Sequence, residues 1–259
     1  MSDLKLTRDL VACGDTHDAL AKRLRAGSLS RLRRGAYVLP KDRSREELHR
    51  LTVQSTMALR LGDSVISFAS AAVMHGLPVP WAALDKVHLT RRRADGGKIG
   101  SVVHLHVARL QPDEICIIDG LPVTSLARTV VDLSRTVSLG WAVAAGDAAL
   151  RIGMTLDDVA AQLESAKQRH GASVARAATR LLDPRSASAG ESLSRVVFFE
   201  EGLPMPELQV GLYDGSRKIA TVDFLWREQG TVGEFDGEFK YGRLLAPGQT
   251  SADAVFKEK

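Results

Sequence analysis

The stretch from Ala220 to Tyr241 restricts the possible folds of this chain more than any other. Ala220-Thr-Val-Asp-Phe-Leu-Trp226 and Thr231-Val-Gly-Glu-Phe-Asp-Gly-Glu-Phe-Lys-Tyr241 are rich in β-branched and aromatic residues and are parted by the polar Arg227-Glu-Gln-Gly230. That is the pattern of two β-strands joined by a turn. Alternation puts Asp223 and Leu225 on one face and Val222, Phe224 and Trp226 on the other. In the second strand Val232, Glu234 and Asp236 share a face. In-register pairing is expected to bring Asp223, Glu234 and Asp236 to one spot, backed by an apolar layer. Three carboxylates so placed repel one another unless a cation lies between them, and hard oxygen ligands suit Mg²⁺ or Mn²⁺. Lys240, four residues after Asp236, is placed to reach the same spot from beyond the strand end. A divalent metal beside an ammonium is equipment for hydrolysing a phosphodiester, because the metal activates water and both cations offset developing charge. The simpler alternative is a solvated acidic hairpin face.

The D-x10-E-x-D-x3-K arrangement resembles the PD-(D/E)XK nuclease superfamily. It looks closest to the very-short-patch-repair-like endonuclease domains, which carry an E-x-D-G segment like Glu234-Phe-Asp-Gly237. The resemblance implies an α/β nuclease-like domain and a Mg²⁺ (or Mn²⁺) cofactor held by Asp223, Glu234 and Asp236. Lys240 would assist the cleavage of DNA. The superfamily pattern has lysine two residues after the second acid, where this chain has Asp236. In such domains a glutamate on the helix before the first strand can join the metal cluster, a role that falls on Glu191. Glu191 also stands at capping-box spacing from Ser188, which is the simpler reading. The resembled fold needs a further strand after the helix starting at Ser251, so the domain is expected to be incomplete at its C-terminus.

The formal net charge of +4 conceals an asymmetry. Residues 1–60 hold 13 Lys/Arg against 7 Asp/Glu, whereas residues 186–259 hold 8 against 12. A basic front and an acidic rear fit a polyanion-binding module joined to a phosphate-handling site. With 44% hydrophobic and 25% charged residues, neither disorder nor a fibrous repeat is indicated. The first residues lack the apolar core of a secretory signal. The longest apolar run, Leu139 to Leu150, contains Asp147 and is too short for a membrane span. Cys13 and Cys116 form no C-x-x-C pair, so zinc is not suggested and a reducing cytoplasm is expected.

At the front, Thr7 is expected to cap a helix ending near Gly14, and Asp15 or Thr16 a second running to Ala26 with Gly27 as its stop. Leu29 to Leu39 then reads as a hairpin turning at Arg33-Arg34-Gly35. From Lys22 to Arg34 there are six basic residues and no acid: Lys22, Arg23, Arg25, Arg31, Arg33 and Arg34. A helix of this size suits the major groove, and basic residues on a flanking wing suit phosphates. The order helix, helix, Arg-rich hairpin with R-R-G-A-Y-V resembles the winged helix-turn-helix of AbiEi-type antitoxins (abortive infection, type IV toxin–antitoxin systems). Phe68 to Pro78 and Asp119 to Leu133 resemble segments of that family's longer members. This resemblance implies double-stranded DNA as a partner, a cognate toxin as a second, and a role in toxin–antitoxin or phage defence. A homodimer is a further expectation, and no membrane contact is expected.

In the middle, Arg45 to Leu61 reads as an amphipathic helix and Ser67 or Ser70 as the cap of the next. Val87 to Thr90, Val102 to Val107 and Glu114 to Ile118 read as short strands. Arg91, Arg92 and Arg93 top a Gly-rich loop, either a second phosphate contact or an exposed basic loop. His104 and His106 share a strand face, and His88 joins them only if its strand is the neighbour. Structural histidines are the preferred reading there. Alanine-rich helices follow over Leu139 to Arg151, Thr155 to His170 and Gly171 to Leu182. Asp183-Pro-Arg-Ser-Ala-Ser-Ala-Gly190 is the clearest boundary.

The expected architecture is α+β and multidomain. A winged helix-turn-helix spans 1–44, an AbiEi-like α/β domain 45–138, a helical linker 139–185 and a PD-(D/E)XK-like α/β domain 186–259. Two functions are open: a DNA-binding protein with a Mg²⁺-dependent endonuclease-like domain, or an antitoxin and transcriptional autorepressor whose nuclease-like domain is inactive.

Overall fold

A computed structural model describes residues 3–59, 63–91 and 97–236. The chain is a mixed α+β protein with nine helices and three sheets among the described residues.

The first unit runs β1 (Leu4–Leu6), α1 (Thr7–Ala12), α2 (His17–Arg25), β2 (Ser30–Arg33) and β3 (Ala36–Val38). Its antiparallel strands lie in the order β1-β3-β2. Thr16 caps α2 by accepting from Ala19 N at 3.1 Å. Leu6, not Thr7, precedes α1, and no side-chain cap bond forms there. Leu20, Leu29 and Tyr37 make the small core, with Leu10 and Leu24 packed against it.

Helix α3 (Arg45–Leu59) leads to a six-stranded mixed sheet. Its strands are β4 (Ser64–Ile66), β5 (Val87–Arg91), β6 (Lys98–Ile99), β7 (Val103–Val107), β8 (Ile115–Ile118) and β9 (Leu121–Thr124), in the order β6-β7-β5-β4-β9-β8. The pairs β5/β7 and β4/β9 are parallel. Sequence reading does not find β4 and β9. Strand β9 is the return arm of a hairpin about Asp119-Gly120, both at positive φ, the type I′ signature. Val53 of α3, together with Ala71 and Met74 of α4 (Phe68–His75), covers the apolar strand residues Ile66, Leu89 and Val123.

Helices α5 (Leu126–Ser134), α6 (Leu139–Arg151) and α7 (Leu156–Ser165) pack on the other side of α4 in a second core. Residues expected to form a linker therefore share a core with the middle unit. Helix α6 has its other side against α8 (Ala172–Arg180) and α9 (Ala189–Glu200) through Ala142, Val143, Ala178 and Val196. Glycine permits the approach to α9, since a Cβ at Gly140 would overlap the Leu193 side chain. One carboxylate fixes the joint. Asp147, wholly buried, accepts from Arg195 and from the Ser192 hydroxyl at 2.8 Å each, and from Asp183 N at 2.7 Å.

The last described unit is an antiparallel meander, β10 (Glu207–Asp214), β11 (Arg217–Trp226) and β12 (Thr231–Gly233). Its apolar face meets α9 through Phe198, which stands edge-on to Phe224 and Trp226 at centroid distances of 5.2 and 5.1 Å. Strand β12 stops at Gly233, so Glu234 and Asp236 lie beyond the strand, not on one face of it. Among the described residues no helix is long and apolar enough to cross a membrane.

Candidate functional site

Helix α9 opens with Ser188, whose hydroxyl accepts from Glu191 N at 3.1 Å and donates to Glu191 Oε1 at 2.8 Å. Ala187 N donates to Glu191 Oε2 at 2.8 Å. The glutamate thus braces the helix start, though its backbone donor is Ala187 N, one residue before the Ser188 N of a capping box. It is also more than that, because Oε2 accepts a second hydrogen bond, at 2.9 Å, from Gln209 Nε2 on β10. The same nitrogen donates to Asp223 Oδ1 on β11 at 2.8 Å. One amide therefore joins a buried helix-cap carboxylate to a strand carboxylate across the helix–sheet interface. Asp223 Oδ2 accepts from Phe235 N at 2.8 Å. The Phe235 ring lies over Gly190, where any Cβ would overlap it.

The structure thus brings Glu191 and Asp223 together and adds Gln209, which sequence reading does not single out. Glu234 and Asp236 flank Phe235 and are exposed. They do not join Asp223 in a group of three ligand atoms within 4.8 Å of one another. The physical reason is the end of β12: Asp223 takes the Phe235 amide, and among the described residues the ladder goes no further. Lys240 and the helix expected from Ser251 lie outside the described residues. The donor set of Glu191 and Asp223 is hard oxygen and suits Mg²⁺ in kind. The acidic trio, as placed, does not fit that ion.

Of the six basic residues in the first unit, Lys22 and Arg25 on α2 and Arg31 and Arg34 on the hairpin are exposed. Arg23 pairs with Asp15 at 2.8 Å, and Arg33 donates to the Thr56 hydroxyl of α3. These two brace the unit and the other four face solvent. Of the second basic loop, Arg91 donates to the Ser64 hydroxyl at 2.7 Å; Arg92 and Arg93 lie outside the described residues.

The condition on His88 is met, since β5 neighbours β7 and His88 stands opposite His104. His88 Nδ1 and His106 Nε2 are 2.9 Å apart. Burial, then the neighbouring His104, pull His88 down to about 4 and His106 down to about 3. His106 also lines a cleft of about 420 Å³ with Phe68, Arg109, Arg135, Arg169 and His170. Beneath it Arg128, 1% exposed, donates to Glu114 at 2.8 Å and to Asp132 at 2.5 Å.

No family model matches the chain. Two curated proteins of Mycobacterium tuberculosis are similar to it: "Uncharacterized protein MT2308" of strain CDC 1551 / Oshkosh and "Uncharacterized protein Rv2248" of strain ATCC 25618 / H37Rv. Each is 32% identical over 140 residues, covering 53% of this chain and 50% of the relative. The chain thus spans about half the length of the curated relatives it matches.

Proposed function

We propose that the chain is a double-stranded-DNA-binding protein of the AbiEi antitoxin-like kind with a nuclease-like C-terminal unit, acting in cytoplasmic toxin–antitoxin or phage defence. The observation that carries this reading is the exposed set Lys22, Arg25, Arg31 and Arg34, spread over a helix and the adjoining hairpin. Strand order β1-β3-β2 beside two helices supports a winged helix-turn-helix. In that arrangement α2 enters the major groove while the wing grips phosphates. A cognate toxin and a second copy of the chain are the protein partners this reading implies.

The meander on α9, with Glu191 and Asp223 meeting at Gln209, supports a PD-(D/E)XK-like unit of the very-short-patch-repair kind. A Mg²⁺ ion bound there would activate water for phosphodiester hydrolysis, with Asp223 and Glu191 as its holders. One observation favours the second reading, an autorepressor that does not cut: the Glu191 and Asp223 oxygens are already met by internal donors.

A gel shift on duplex DNA at graded salt tests the first claim. Replacing Lys22, Arg25, Arg31 and Arg34 by alanine is expected to weaken binding. The log–log salt slope should flatten by about 0.9 for each phosphate that the variant no longer neutralises. Unchanged affinity and slope would falsify the assigned reader. Incubating plasmid with the protein and Mg²⁺ then separates the two readings. Nicking by wild type that Asp223→Ala abolishes marks an enzyme, whereas binding without nicking marks the repressor.

A further inference from the structure

His88, His104 and His106 form a compact cluster that neither DNA binding nor the acidic site employs. Parallel pairing of β5 and β7 sets His88 opposite His104 and Thr90 opposite His106. All three imidazoles therefore leave the same side of adjacent strands. Each is half-buried, and one ligand nitrogen from each lies within 4.8 Å of the other two. His88 Nδ1 and His106 Nε2 already touch at 2.9 Å, and the His104 and His106 rings stack at 3.9 Å. Nitrogens bound to one tetrahedral ion at about 2.0–2.1 Å stand roughly 3.3 Å apart. Small ring rotations therefore close this set around an ion. Phe68, stacked on His106 at 3.9 Å and held at a φ of 51°, walls one side.

We propose that His88, His104 and His106 bind a divalent transition ion of the zinc class, with a position left for water or an outside ligand. Imidazole suits Zn²⁺, Co²⁺, Ni²⁺ and Cu²⁺, whereas Mg²⁺ prefers oxygen. The site is thus distinct in chemistry, as well as in place, from the acidic one. Three protein ligands with one open position are the pattern of reactive zinc sites; structural sites close all four. The competing account is a column of stacked rings that holds no ion.

Titrating the chelator-treated full chain with Co²⁺, followed by visible absorption and calorimetry, decides between them. One equivalent is expected to bind and give the strong visible bands of four-coordinate Co²⁺, and Zn²⁺ should displace it and raise the melting temperature. His106→Ala and His104→Gln should each weaken binding by about tenfold or more, since even outer-shell partners command that much. Circular dichroism checks that each variant is folded, and His104→Gln alone decides should His106→Ala fail. Asp223→Asn should leave the Co²⁺ spectrum unchanged, which keeps this result separate from the fate of the acidic site. No one-equivalent binding by wild type, or an unaltered affinity and spectrum in folded His104→Gln, overturns the assignment.

Discussion

Gln209 occupies the left-handed region at a φ of 51° in the middle of β10, where a side chain other than glycine costs about 1–3 kcal/mol. Its amide, shared between Glu191 and Asp223, offsets that strain. Removing the amide leaves a buried carboxylate short of a donor, so Gln209→Ala should lower unfolding stability by about 1–3 kcal/mol. Urea denaturation measures this, and an unmoved midpoint would contradict the bridge. His49 and His75 supply a pH dependence. His49 Nδ1 faces the Leu84 carbonyl, which can only accept, so that nitrogen carries the proton while Nε2 faces the Ser70 hydroxyl. His75 Nε2 faces the Thr124 carbonyl in the same manner. Burial holds both imidazoles below their ordinary range. The unfolded chain therefore takes up these protons first. The stabilisation is complete above about pH 6.5 and is lost as pH falls through that value toward the depressed native ones, by at most about 1.4 kcal/mol per pH unit for each group. Melting temperatures from pH 7.5 to 5 should fall, and His49→Gln should flatten the slope.

At the scale of elements, long periodic stretches are legible in the sequence. Helix α6 has its expected ends, and α3, α8 and strands β5 and β7 lie within two residues of theirs, because periodicity and caps mark them locally. Register is not legible. A bulge between Leu212 and Tyr213 shifts β10 by one residue against β11. That shift puts Gln209 opposite Asp223 in place of Leu208, and no composition signal announces it. Strands β4 and β9 escape sequence reading for another reason: three- and four-residue segments carry too little alternation, and the contact that joins β4 to β9 links residues far apart along the chain. Asp147 illustrates a third case. In sequence it only interrupts an apolar run; in the fold it is the acceptor that binds α6 to α9. Asp147→Ala should cost about 3–5 kcal/mol by leaving the Arg195 guanidinium buried without its carboxylate. The double variant with Arg195→Met should recover part of that loss. Equal denaturation midpoints for Asp147→Ala and wild type would contradict this.

For the whole molecule, charge asymmetry is readable from composition, and the fold sorts it into working and bracing parts. Four of the six front-end cations face solvent, while Arg23 and Arg33 hold the unit together. The boundary at residues 183–190 reads as a plain connector in sequence, yet its backbone is tied down on the helical layer. Asp183 N reaches Asp147, Arg195 reaches the Ser186 hydroxyl, and Arg151 donates to the Ser186 carbonyl. Arg185 between them is exposed. A trypsin nick after Arg185 should therefore cut the chain without separating it, and both fragments should travel together through a sizing column until denaturant is added. What reads as a tether behaves as a rivet: breaking the thread there leaves the two plates fastened.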